Sequence, residues 1–355
     1  MPTLSMDQIA EAAASLFIAA GTSSRDARTV AGLLAEANCA GHDSHGLIRV
    51  PQYLAAVEDG RIDPAAEVEL LQETPITAVV DGHWGFGQVA MTRAVEVASE
   101  KAAAHGLAAV TVRSASHIGR LGSYVERLAR RDLAALLLVN AVGIPAYRMA
   151  PWGGTEARLA TDPLAFGAPR SDGDPVVLDM TTTVVAEGKV RVKSNRGEPV
   201  PEGWLIDAEG QPTTDPDVLY GEPRGSILPL GGSAAGHKGY GLNVALELLA
   251  GALSGTGCIG GGQPLGNGVL LIALDVERFL PLDEFHRHAE AFFAHVKSSP
   301  PAAGFDGILL PGEIEGQVQR QRQEEGIFVE DETWRQVLQW ADKLGAEVPL
   351  PEERR

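Results

Sequence analysis

The sequence predicts a mixed α/β fold in which both ends of the chain are helical and the middle alternates strands with helices. About the first sixty residues carry apolar side chains at helical spacing, and the tail from about Ile314 returns to that spacing. Between them, short runs rich in β-branched residues are bounded by glycine or polar turns. A chain of 355 residues is long for one core. We therefore expect a helical domain of residues 1–68 with 314–355 and an α/β domain of residues 69–313.

The N-terminal helices have clear start and stop signals. Ser5 and Gln8 form the pattern of a capping box, and a second helix is predicted to begin at Ser23 or Ser24. Gly41 gives that second helix its C-terminal stop. The apolar spacing of "LIRVPQYLAAV" indicates a third helix with a proline near its first turn.

Five β-rich runs and three helical segments make up the predicted α/β middle. The predicted strands are "ITAVVDG", "LAAVTVRSAS", "LAALLLVN", "PVVLDMTT" and "NGVLLIALDVERF". The predicted helices are "VAMTRAVEVASEKAAAHG", "LGSYVERLARRD" and "KGYGLNVALELLAGALSG". The segment "GTGCIG", residues 255–260, matches the glycine fingerprint of a Rossmann dinucleotide site. It follows a helix rather than a strand, so a Rossmann fold is not supported.

Composition and charge narrow the classes of partner. The formal net charge is -18 and no basic patch stands out, which makes nucleic acid and anionic membrane surfaces poor partners. The two cysteines, Cys39 and Cys258, form neither a disulfide framework nor a zinc-ribbon spacing, which favours a reducing compartment. The N-terminus lacks the features of a signal peptide, and the apolar runs are too short to span a bilayer. We therefore expect a soluble cytoplasmic protein.

The segment "CAGHDSHGLIRVPQYL", residues 39–54, concentrates titratable groups just after a predicted helix end. A metal site would need His42 and His45 plus a third ligand, and no H-E-x-x-H or C-x-x-C pattern supplies one. A general acid would need one histidine near neutral pKa and a group that orients it. If the segment is helical, Arg49 lies on the same face as His45 and can hold a substrate carboxylate beside the proton donor. Spacing alone leaves this interpretation and that of a polar helix end both open.

Three further segments place polar side chains next to predicted strand or helix ends. His117 falls at a strand-to-helix corner, where side chains and free amides face a ligand, although a capping histidine fits the same turn. Asp179 follows a buried strand, so its carboxylate needs a partner such as a histidine, unless it caps the next element. His237 and Lys238 lie between glycines before a predicted helix, where a lysine suits a phosphate. Such a glycine loop can also be purely conformational.

Together these motifs resemble those of the type-2 malate/L-lactate dehydrogenases, a family that also contains ureidoglycolate, sulfolactate and diketogulonate oxidoreductases and some cyclic-imine reductases. The resemblance runs in order along nearly the whole chain, through "DSHGLIRVPQYL", "DGHWGFGQ", "RSASHIGRLGSYVE", "PWGGTEARLATDP", "LDMTTTVVAEGKV", "PEGWLIDAEGQPTTDP", "HKGYGLNVALELLAGALSG" and "LLPGEIEG". It implies a non-Rossmann nicotinamide-binding domain joined to a helical domain built from both termini. It also implies homodimers, an active site between the domains, and NAD or NADP as cofactor.

The resemblance assigns catalytic and substrate-binding roles to individual positions. It implies that His45 donates a proton to the substrate carbonyl, with Ser44 as its hydroxyl neighbour and Asp179 as a third member of the relay. Arg49 is the implied carboxylate-binding residue, and Thr161 is a further candidate for substrate binding. The implied substrate is a small carboxylate, a 2-oxo acid or its 2-hydroxy counterpart.

The resemblance also implies which residues contact the cofactor. His117 matches a histidine with a catalytic or substrate-orienting role in some family members. The candidate cofactor-binding residues are His117, Asn140, Asp179, Met180, Thr181, Thr182, Thr183, His237, Lys238, Gly312 and Glu313. A 2'-phosphate of NADP would need a nearby cation, and the sequence does not place the basic residues near a ribose. The candidates for that cation are Arg120, Arg191, Lys193 and Arg196.

Two segments depart from the usual family pattern. The family usually has T-N-P where this chain has Thr161, Asp162 and Pro163. An aspartate at that position loses the amide donor and adds negative charge, which bears on ligand preference. The family's D-M-A-T-S is D-M-T-T-T here, with the hydroxyls retained.

Three other functions remain open from the sequence. A cyclic imino-acid reductase would use the same arginine for the same carboxylate, so the motif does not separate it from a 2-hydroxyacid dehydrogenase. A non-catalytic ligand-binding protein with the same fold is opposed by the intact Ser44, His45, Arg49 and His117. A metal hydrolase is opposed by the lack of ligand spacing, and no metal is expected.

Overall fold

The structure is a computed structural model that describes residues 2–143 and 146–349. Its helices are α1 (Met6–Ala19), α2 (Ser24–Cys39), α3 (Arg49–Glu58), α4 (Gly87–His105), α5 (Gly122–Ala129), α6 (Glu187–Arg196), α7 (Gly232–Leu246), α8 (Leu282–Lys297), α9 (Glu313–Glu325) and α10 (Asp331–Leu344). Its strands are β1 (Thr3–Leu4), β2 (Glu69–Glu73), β3 (Thr77–Asp81), β4 (Leu107–Ala115), β5 (Leu133–Val142), β6 (Pro163–Ala168), β7 (Val176–Thr181), β8 (Leu205–Ile206), β9 (Pro212–Thr213), β10 (Ser226–Ile227), β11 (Gly266–Asp275) and β12 (Ile327–Phe328). The prediction of a mixed α/β fold is confirmed.

Seven strands form the main sheet, in the order β2-β3-β4-β11-β5-β6-β7. β3 and β4 pair in parallel, and the other neighbouring strands pair antiparallel. Side chains of the central strand β11 point alternately into two apolar clusters, one on each face of the sheet. Val269 and Leu271 pack into the core formed with α4 and α5, whereas Leu270 and Ile272 lie in the cluster on the opposite face. The five predicted strands are all present, as β3, β4, β5, β7 and β11.

The two ends of the chain share a second core. β1 pairs with β12, and α10 contacts both α1 and α3. Phe17 of α1, Tyr53 of α3 and Val337 of α10 all belong to one buried apolar cluster. Ser5 and Gln8 form the predicted capping box through reciprocal hydrogen bonds of 2.8 and 3.1 Å. The N-terminal helices therefore pack with the tail helices rather than with the main sheet alone.

Two helices, the small sheet and the strands β1, β2, β6 and β12 were not predicted. α6 contributes one buried residue, Val190, and its polar sequence carries no apolar stripe. α8 does carry a stripe, since Phe285 and Phe292 recur at helical spacing, and that signal was available in the sequence. β8, β9 and β10 have two residues each, too few for an alternating pattern. The domain boundaries stay a prediction, and residues 1 and 350–355 lie outside the described residues.

Two features bear on where the protein resides. Cys39 is buried and Cys258 is half-buried, and both are free thiols. No helix in the described ranges, 2–143 and 146–349, combines the length and the apolar composition needed to cross a membrane. The expected cytoplasmic location stays a prediction.

Candidate active site

His45 lies in a short 3-10 turn between α2 and α3 that is held from both sides. Asn38 at the end of α2 donates from its amide to Asp43 at 2.7 Å, and its carbonyl oxygen accepts from the backbone N–H of Leu47 at 2.7 Å. The two terminal guanidinium nitrogens of Arg322, in α9, donate to the two carboxylate oxygens of Asp43 at 2.6 and 2.9 Å. A fork of two charge-assisted hydrogen bonds fixes orientation as well as distance. The turn is therefore tied to the N-terminal helices and to the tail.

The prediction that one helical turn joins His45 to Arg49 is wrong. Gly46 interrupts the segment with φ -98° and ψ -142°, and α3 begins only at Arg49. A Cβ atom at Gly46 would lie 2.0 Å from Oδ1 of Asn38, so this close approach requires glycine. Arg49 reaches the turn through its side chain instead, because its Nε donates to the backbone oxygen of Ser44 at 2.6 Å.

The imidazoles of His45 and His117 stack in this site, with ring centroids 5.5 Å apart and planes inclined by 27°. His117 lies between β4 and α5, which confirms its predicted place at a strand-to-helix corner. Oγ of Ser44 is 3.0 Å from Nδ1 of His45. Burial, and then the charge of Arg49, lower the pKa of His45 to about 3 and the pKa of His117 well below its usual range. Both imidazoles are therefore neutral near pH 7.

A buried pair of side chains sets the tautomer of His117. Nε2 of Gln88 donates to the hydroxyl of Tyr53 at 2.9 Å, so the hydroxyl hydrogen is directed to Nδ1 of His117 at 2.7 Å. Burial raises the pKa of Tyr53 to about 12, which keeps this donor protonated. Phe17 and Phe86 hold the tyrosine ring, at centroid distances of 6.4 and 6.1 Å. This arrangement favours the neutral tautomer of His117 with its proton on Nε2, and neither Tyr53 nor Gln88 was predicted from the sequence.

Asp179 lies in β7 and binds the start of α5. Its Oδ2 accepts from the backbone N–H of Gly122 at 2.7 Å. Burial raises the pKa of Asp179, and the Gly122 amide and the charges of His42 and Arg120 oppose that rise. Among the hydrogen bonds of the described residues, none joins Asp179 to His45. The predicted relay role of Asp179 therefore stays a prediction.

His42 and His45, the two histidines of the metal interpretation, have separate partners. His42 lies 3.5 Å from the carboxylate of Glu315, and His45 contacts Ser44. No group of three or more His, Cys, Asp or Glu side chains in the described part of the chain is placed to hold a metal ion.

A cleft of ≈ 750 Å³ opens between the start of β7, α5 and α9. Arg120 and Glu315 line it, and both also act on the pKa of Asp179. The charge of Arg120 in addition reaches His45. Arg120 therefore links the wall of the cleft electrostatically to the candidate site, and the cleft is large enough for an extended small molecule.

Arg120 is the least satisfied cation of this cleft. It is 7% exposed, and its Nε has no hydrogen-bond partner among the described residues. Within residues 2–143 and 146–349, the hydrogen bond and ion pair of its guanidinium are long, 3.5 Å to Oγ of Ser123 and 3.8 Å to the carboxylate of Glu126. A buried guanidinium with weak partners at the wall of a cleft is suited to an anionic ligand. The sequence named Arg120 only as a cation of unknown position.

Gly312 and Glu313 lie at the start of α9, on the rim of the same cleft. Gly312 has φ +94°, and a Cβ atom there would lie 3.1 Å from the backbone nitrogen of Val177. The contact between α9 and β7 therefore requires glycine. The carboxylate of Glu313 lies 2.5 Å from Nζ of Lys297 and 3.8 Å from Arg170, so these two cations already have a counter-ion.

The predicted segment from Asp179 to Thr183 covers the end of β7 and the residues after it, and it is hydrogen-bonded to the turn that precedes α7. The backbone N–H of Leu230 donates to the oxygen of Thr182 at 2.8 Å. The hydroxyls of Thr181 and Thr183 lie 3.0 Å apart. Met180 instead packs with the apolar cluster on the outer face of the sheet. Cofactor binding by these residues stays a prediction.

His237 and Lys238 lie in the first turn of α7 after a kink. Ala235 has a non-helical φ of -142°, so the regular helix begins just before these two residues. Both side chains are exposed, and the ring of His237 lies edge-on to Trp152 at 5.9 Å. Their exposure at a helix start suits an anion, as the sequence indicated.

Asn140 and Thr182 are buried, and their side chains already have partners. The amide of Asn140 donates to Glu247 at 3.2 Å and to the backbone oxygen of Gly257 at 3.0 Å. The hydroxyl of Thr182 donates to the backbone oxygen of Thr161 at 3.0 Å. These contacts give both residues structural roles, and their contact with a cofactor stays a prediction.

Comparison with known proteins identifies relatives over almost the whole chain. Residues 4–338 match the family model described as malate/L-lactate dehydrogenase. An L-lactate dehydrogenase of Cupriavidus necator is 37% identical over 325 residues, which cover 90% of this chain and 91% of the relative. An L-sulfolactate dehydrogenase of Methanocaldococcus jannaschii is 36% identical, covering 92% and 93%.

Solved structures agree with this relationship. A putative malate/lactate dehydrogenase from E. coli superimposes with a TM-score of 0.91 at 34% identity, covering 98% of this chain and 96% of that one. A delta1-piperideine-2-carboxylate reductase from Pseudomonas syringae superimposes with a TM-score of 0.82 at 28% identity, covering 96% and 100%. Structures of this fold are therefore named both for hydroxy acids and for a cyclic imino acid.

Proposed function

Because the chain belongs to the malate/L-lactate dehydrogenase family, we propose that it transfers hydride reversibly between NAD or NADP and a small 2-oxo or 2-hydroxy acid. Its relatives are named dehydrogenases of hydroxy acids, so it is an oxidoreductase acting on a CH–OH group. One observation carries the finer proposal: the imidazoles of His45 and His117 stack at 5.5 Å, and the guanidinium of Arg49 lies close enough for its charge to lower the pKa of both. A 2-oxo acid presents a carboxylate and an adjacent carbonyl oxygen, which these two kinds of group complement.

The chain's own residues divide the work as follows. Arg49 binds the substrate carboxylate as a planar fork and so aligns the neighbouring carbonyl. His45 gives a proton to the carbonyl oxygen as negative charge develops there, and Ser44 holds its ring through Nδ1. His117, with its proton on Nε2 and Nδ1 bound to Tyr53, is a second donor to the same oxygen. The nicotinamide supplies the hydride.

The residues around the cleft fit a nicotinamide dinucleotide. Such a cofactor carries a diphosphate, and Arg120 provides a buried guanidinium whose Nε has no partner among the described residues. Lys238, which is not among the residues that line the cleft, provides an exposed cation at a helix start. We infer that these two residues hold the phosphates. We also infer a non-Rossmann nicotinamide-binding domain, joined to a helical domain that comprises residues 1–68 with 314–355.

A homodimer is part of the same proposal, and exposed apolar side chains support it. Leu248 and Leu253, on the π-helical turn after α7, are 59% and 60% exposed, and Phe292 on α8 is 60% exposed. Leu248 and Leu253 lie five positions apart on this segment, and exposed apolar side chains that are grouped together mark surfaces that subunit interfaces bury. A cytoplasmic homodimer that acts on small carboxylates is therefore our proposal.

The second candidate function is reduction of a cyclic imino acid, favoured by the structural likeness to a piperideine-carboxylate reductase. Initial rates with NADH and with NADPH, across a panel of short 2-oxo acids and cyclic imino acids, separate the two. We expect turnover of 2-oxo acids to exceed that of imino acids. The reverse order would establish the second function, and no absorbance change with any compound would indicate a non-catalytic homologue.

The neutral state of His45 predicts different pH dependences for the two directions of the reaction. With the pKa of His45 at about 3, its protonated fraction falls tenfold per pH unit above that value. We expect kcat/KM for reduction to fall by about tenfold per pH unit through the neutral range, because this constant reports the free site. We expect kcat/KM for oxidation to stay level there, because the neutral base already predominates. A level profile for reduction would contradict His45 as the acid.

Replacement of Arg120 tests the proposed phosphate contact. We expect Arg120→Met to weaken binding of NADH or NADPH by at least about tenfold, because a charge-assisted hydrogen bond contributes about 1.5–3 kcal/mol. Nicotinamide fluorescence measures the affinity directly. Arg130→Met is the matched control, since Arg130 lines the same cleft but already pairs with Glu126 at 2.9 Å. If Arg120→Met left cofactor affinity unchanged and raised the KM for the oxo acid, Arg120 would bind the substrate rather than the cofactor.

A further inference from the structure

Two acidic side chains, those of Asp162 and Glu247, contact each other in the interior of the chain. Asp162 precedes β6 and is fully buried, and Glu247 follows α7 and is 5% exposed. Asp162 contacts the carboxyl group of Glu247. Nδ2 of the neighbouring Asn243 donates elsewhere, to the backbone oxygen of Ala160 at 3.1 Å and to Oγ1 of Thr182 at 2.9 Å. Oδ2 of Asp162 and Oε1 of Glu247 lack a donor among the described residues. The two buried acids are therefore in contact without a donor between them.

The other oxygen of each acid is already satisfied by N–H donors. Oδ1 of Asp162 accepts from the backbone of Ala141 at 2.9 Å. Oε2 of Glu247 accepts from the amide of Asn140 at 3.2 Å and from the backbone of Ile259 at 2.9 Å. The unsatisfied oxygens are therefore the ones left to contact each other, and two ionised carboxylates in such contact repel strongly.

No cation offsets that repulsion in the described part of the chain. Neither acid takes part in an ion pair with a lysine, arginine or histidine there. The other titratable group that faces them is Cys258, whose thiol contacts the backbone oxygen of Glu247 at 3.3 Å. Burial, and then the charge of Glu247, raise the pKa of Cys258, so this thiol is neutral. A dry contact between two uncompensated carboxylates is too costly to persist.

We propose that Asp162 and Glu247 share one proton, so that at neutral pH Asp162 is a neutral carboxyl group and donates a hydrogen bond to the Glu247 carboxylate. The proton resides on Asp162 because Glu247 accepts two N–H bonds at its other oxygen and Asp162 accepts one, and N–H donors favour the charged form. Burial, and then the charge of Glu247, raise the pKa of Asp162 well above its usual range.

The shared proton positions residues of the candidate site, a role that rests on the proposed function. Glu247 holds Asn140, and the backbone oxygen of Asn140 accepts from the amide of Asn267 at 3.0 Å. Oδ1 of Asn267 in turn accepts from the backbone N–H of Ile118, the neighbour of His117, at 3.1 Å. Asp162 itself follows Thr161, the candidate substrate residue. Hydrogen bonds therefore connect the acidic pair, which lies next to Thr161 in the sequence, to the backbone beside His117.

The pair makes a distinct prediction for stability against pH. The folded chain keeps a proton that the unfolded chain releases above the ordinary aspartate pKa of about 3.9. Because the folded-state pKa is raised, this contribution is greatest at low pH and is lost as pH rises towards the folded pKa. In that window the wild-type folding constant falls by about tenfold per pH unit relative to a variant without the titration.

Asp162→Asn is the direct test, because its amide supplies a permanent donor of the same shape. We would measure urea unfolding midpoints at fixed protein concentration from about pH 5 to 9, a range above the ordinary aspartate pKa. We expect the midpoint to fall with pH more steeply for wild type than for Asp162→Asn. Glu247→Gln is the matched variant, since it leaves one carboxylate and one amide donor in the same place, and it should follow Asp162→Asn. Parallel profiles for all three proteins would overturn the proposal.

Infrared spectroscopy of the wild-type protein tests the proton without any variant. We expect the carbonyl stretch of a protonated carboxyl group to persist at mildly alkaline pH and to be lost in Asp162→Asn and in Glu247→Gln. Absence of this band in wild type would overturn the proposal, as would stabilisation by Na⁺ or K⁺ but not by a tetraalkylammonium ion, which would assign the oxygens to a cation. Neither measurement uses catalysis, so failure of the proposed function would appear separately, in the substrate panel.

Discussion

His45→Ala is expected to lower kcat for reduction of a 2-oxo acid by about 10²-fold or more while cofactor binding survives, because general acid catalysis contributes about 10²–10⁴-fold. The ring of His45 stacks on His117 and is held by Ser44, so its loss removes a positioned donor and leaves the surrounding turn fastened by Asp43 and Arg322. Steady-state rates give kcat, and nicotinamide fluorescence gives cofactor affinity.

Two companion variants make this result specific. His105→Ala removes an exposed histidine at the end of α4 and should leave kcat at the wild-type value. His117→Ala removes the second imidazole, whose proton position is set by Tyr53. If His45→Ala keeps near wild-type turnover and His117→Ala does not, the principal donor is His117 and our assignment is wrong.

Arg49→Met is expected to lower kcat/KM for the oxo acid by about 10²-fold or more, because it deletes both arms of a charge-assisted fork to the carboxylate. Arg49→Lys keeps the charge but loses the fork, so it should recover only part of the loss. A second readout follows from the pKa of His45, which burial lowers most and Arg49 lowers next. In Arg49→Met that pKa should rise, and the decline of kcat/KM for reduction should begin at higher pH.

Arg61→Met is the control for Arg49, since Arg61 is exposed and pairs with Asp59 at 2.7 Å just after α3. It should leave kcat/KM and its pH profile unchanged. An Arg49→Met enzyme with an unchanged KM for several 2-oxo acids would show that another cation binds the carboxylate. Arg120 would then be the next residue to test.

Much of the fold was predictable because its signals are local. The strands β4, β5 and β11 are continuous apolar runs, and Ser5 with Gln8 shows a capping box within four residues. His117 was placed at its corner because a strand pattern visibly ends before it. α6 had no comparable signal, since burial of Val190 alone leaves no periodic stripe.

The geometry of the site was less predictable because its contacts join distant segments. Gln88 and Tyr53 look like ordinary residues of two helices, and only the folded chain brings their hydrogen bond to His117. The hydrogen bond from Arg49 to the backbone of Ser44 was not predictable from spacing. It depends on the interruption of the helix at Gly46, where the backbone approaches the side chain of Asn38 closely. Spacing proposed the candidate residues but could not supply the backbone path that brings them together.

The bidentate contact between Arg322 and Asp43 has a consequence for folding during synthesis on the ribosome. These two residues are 279 positions apart, and their contact fastens the turn that carries His45. A ribosome therefore completes the turn, the seven strands of the main sheet and both imidazoles before it adds the residue that holds the turn in place. If the proposed function is correct, we expect catalytic competence to be acquired late in synthesis, after α9 has emerged.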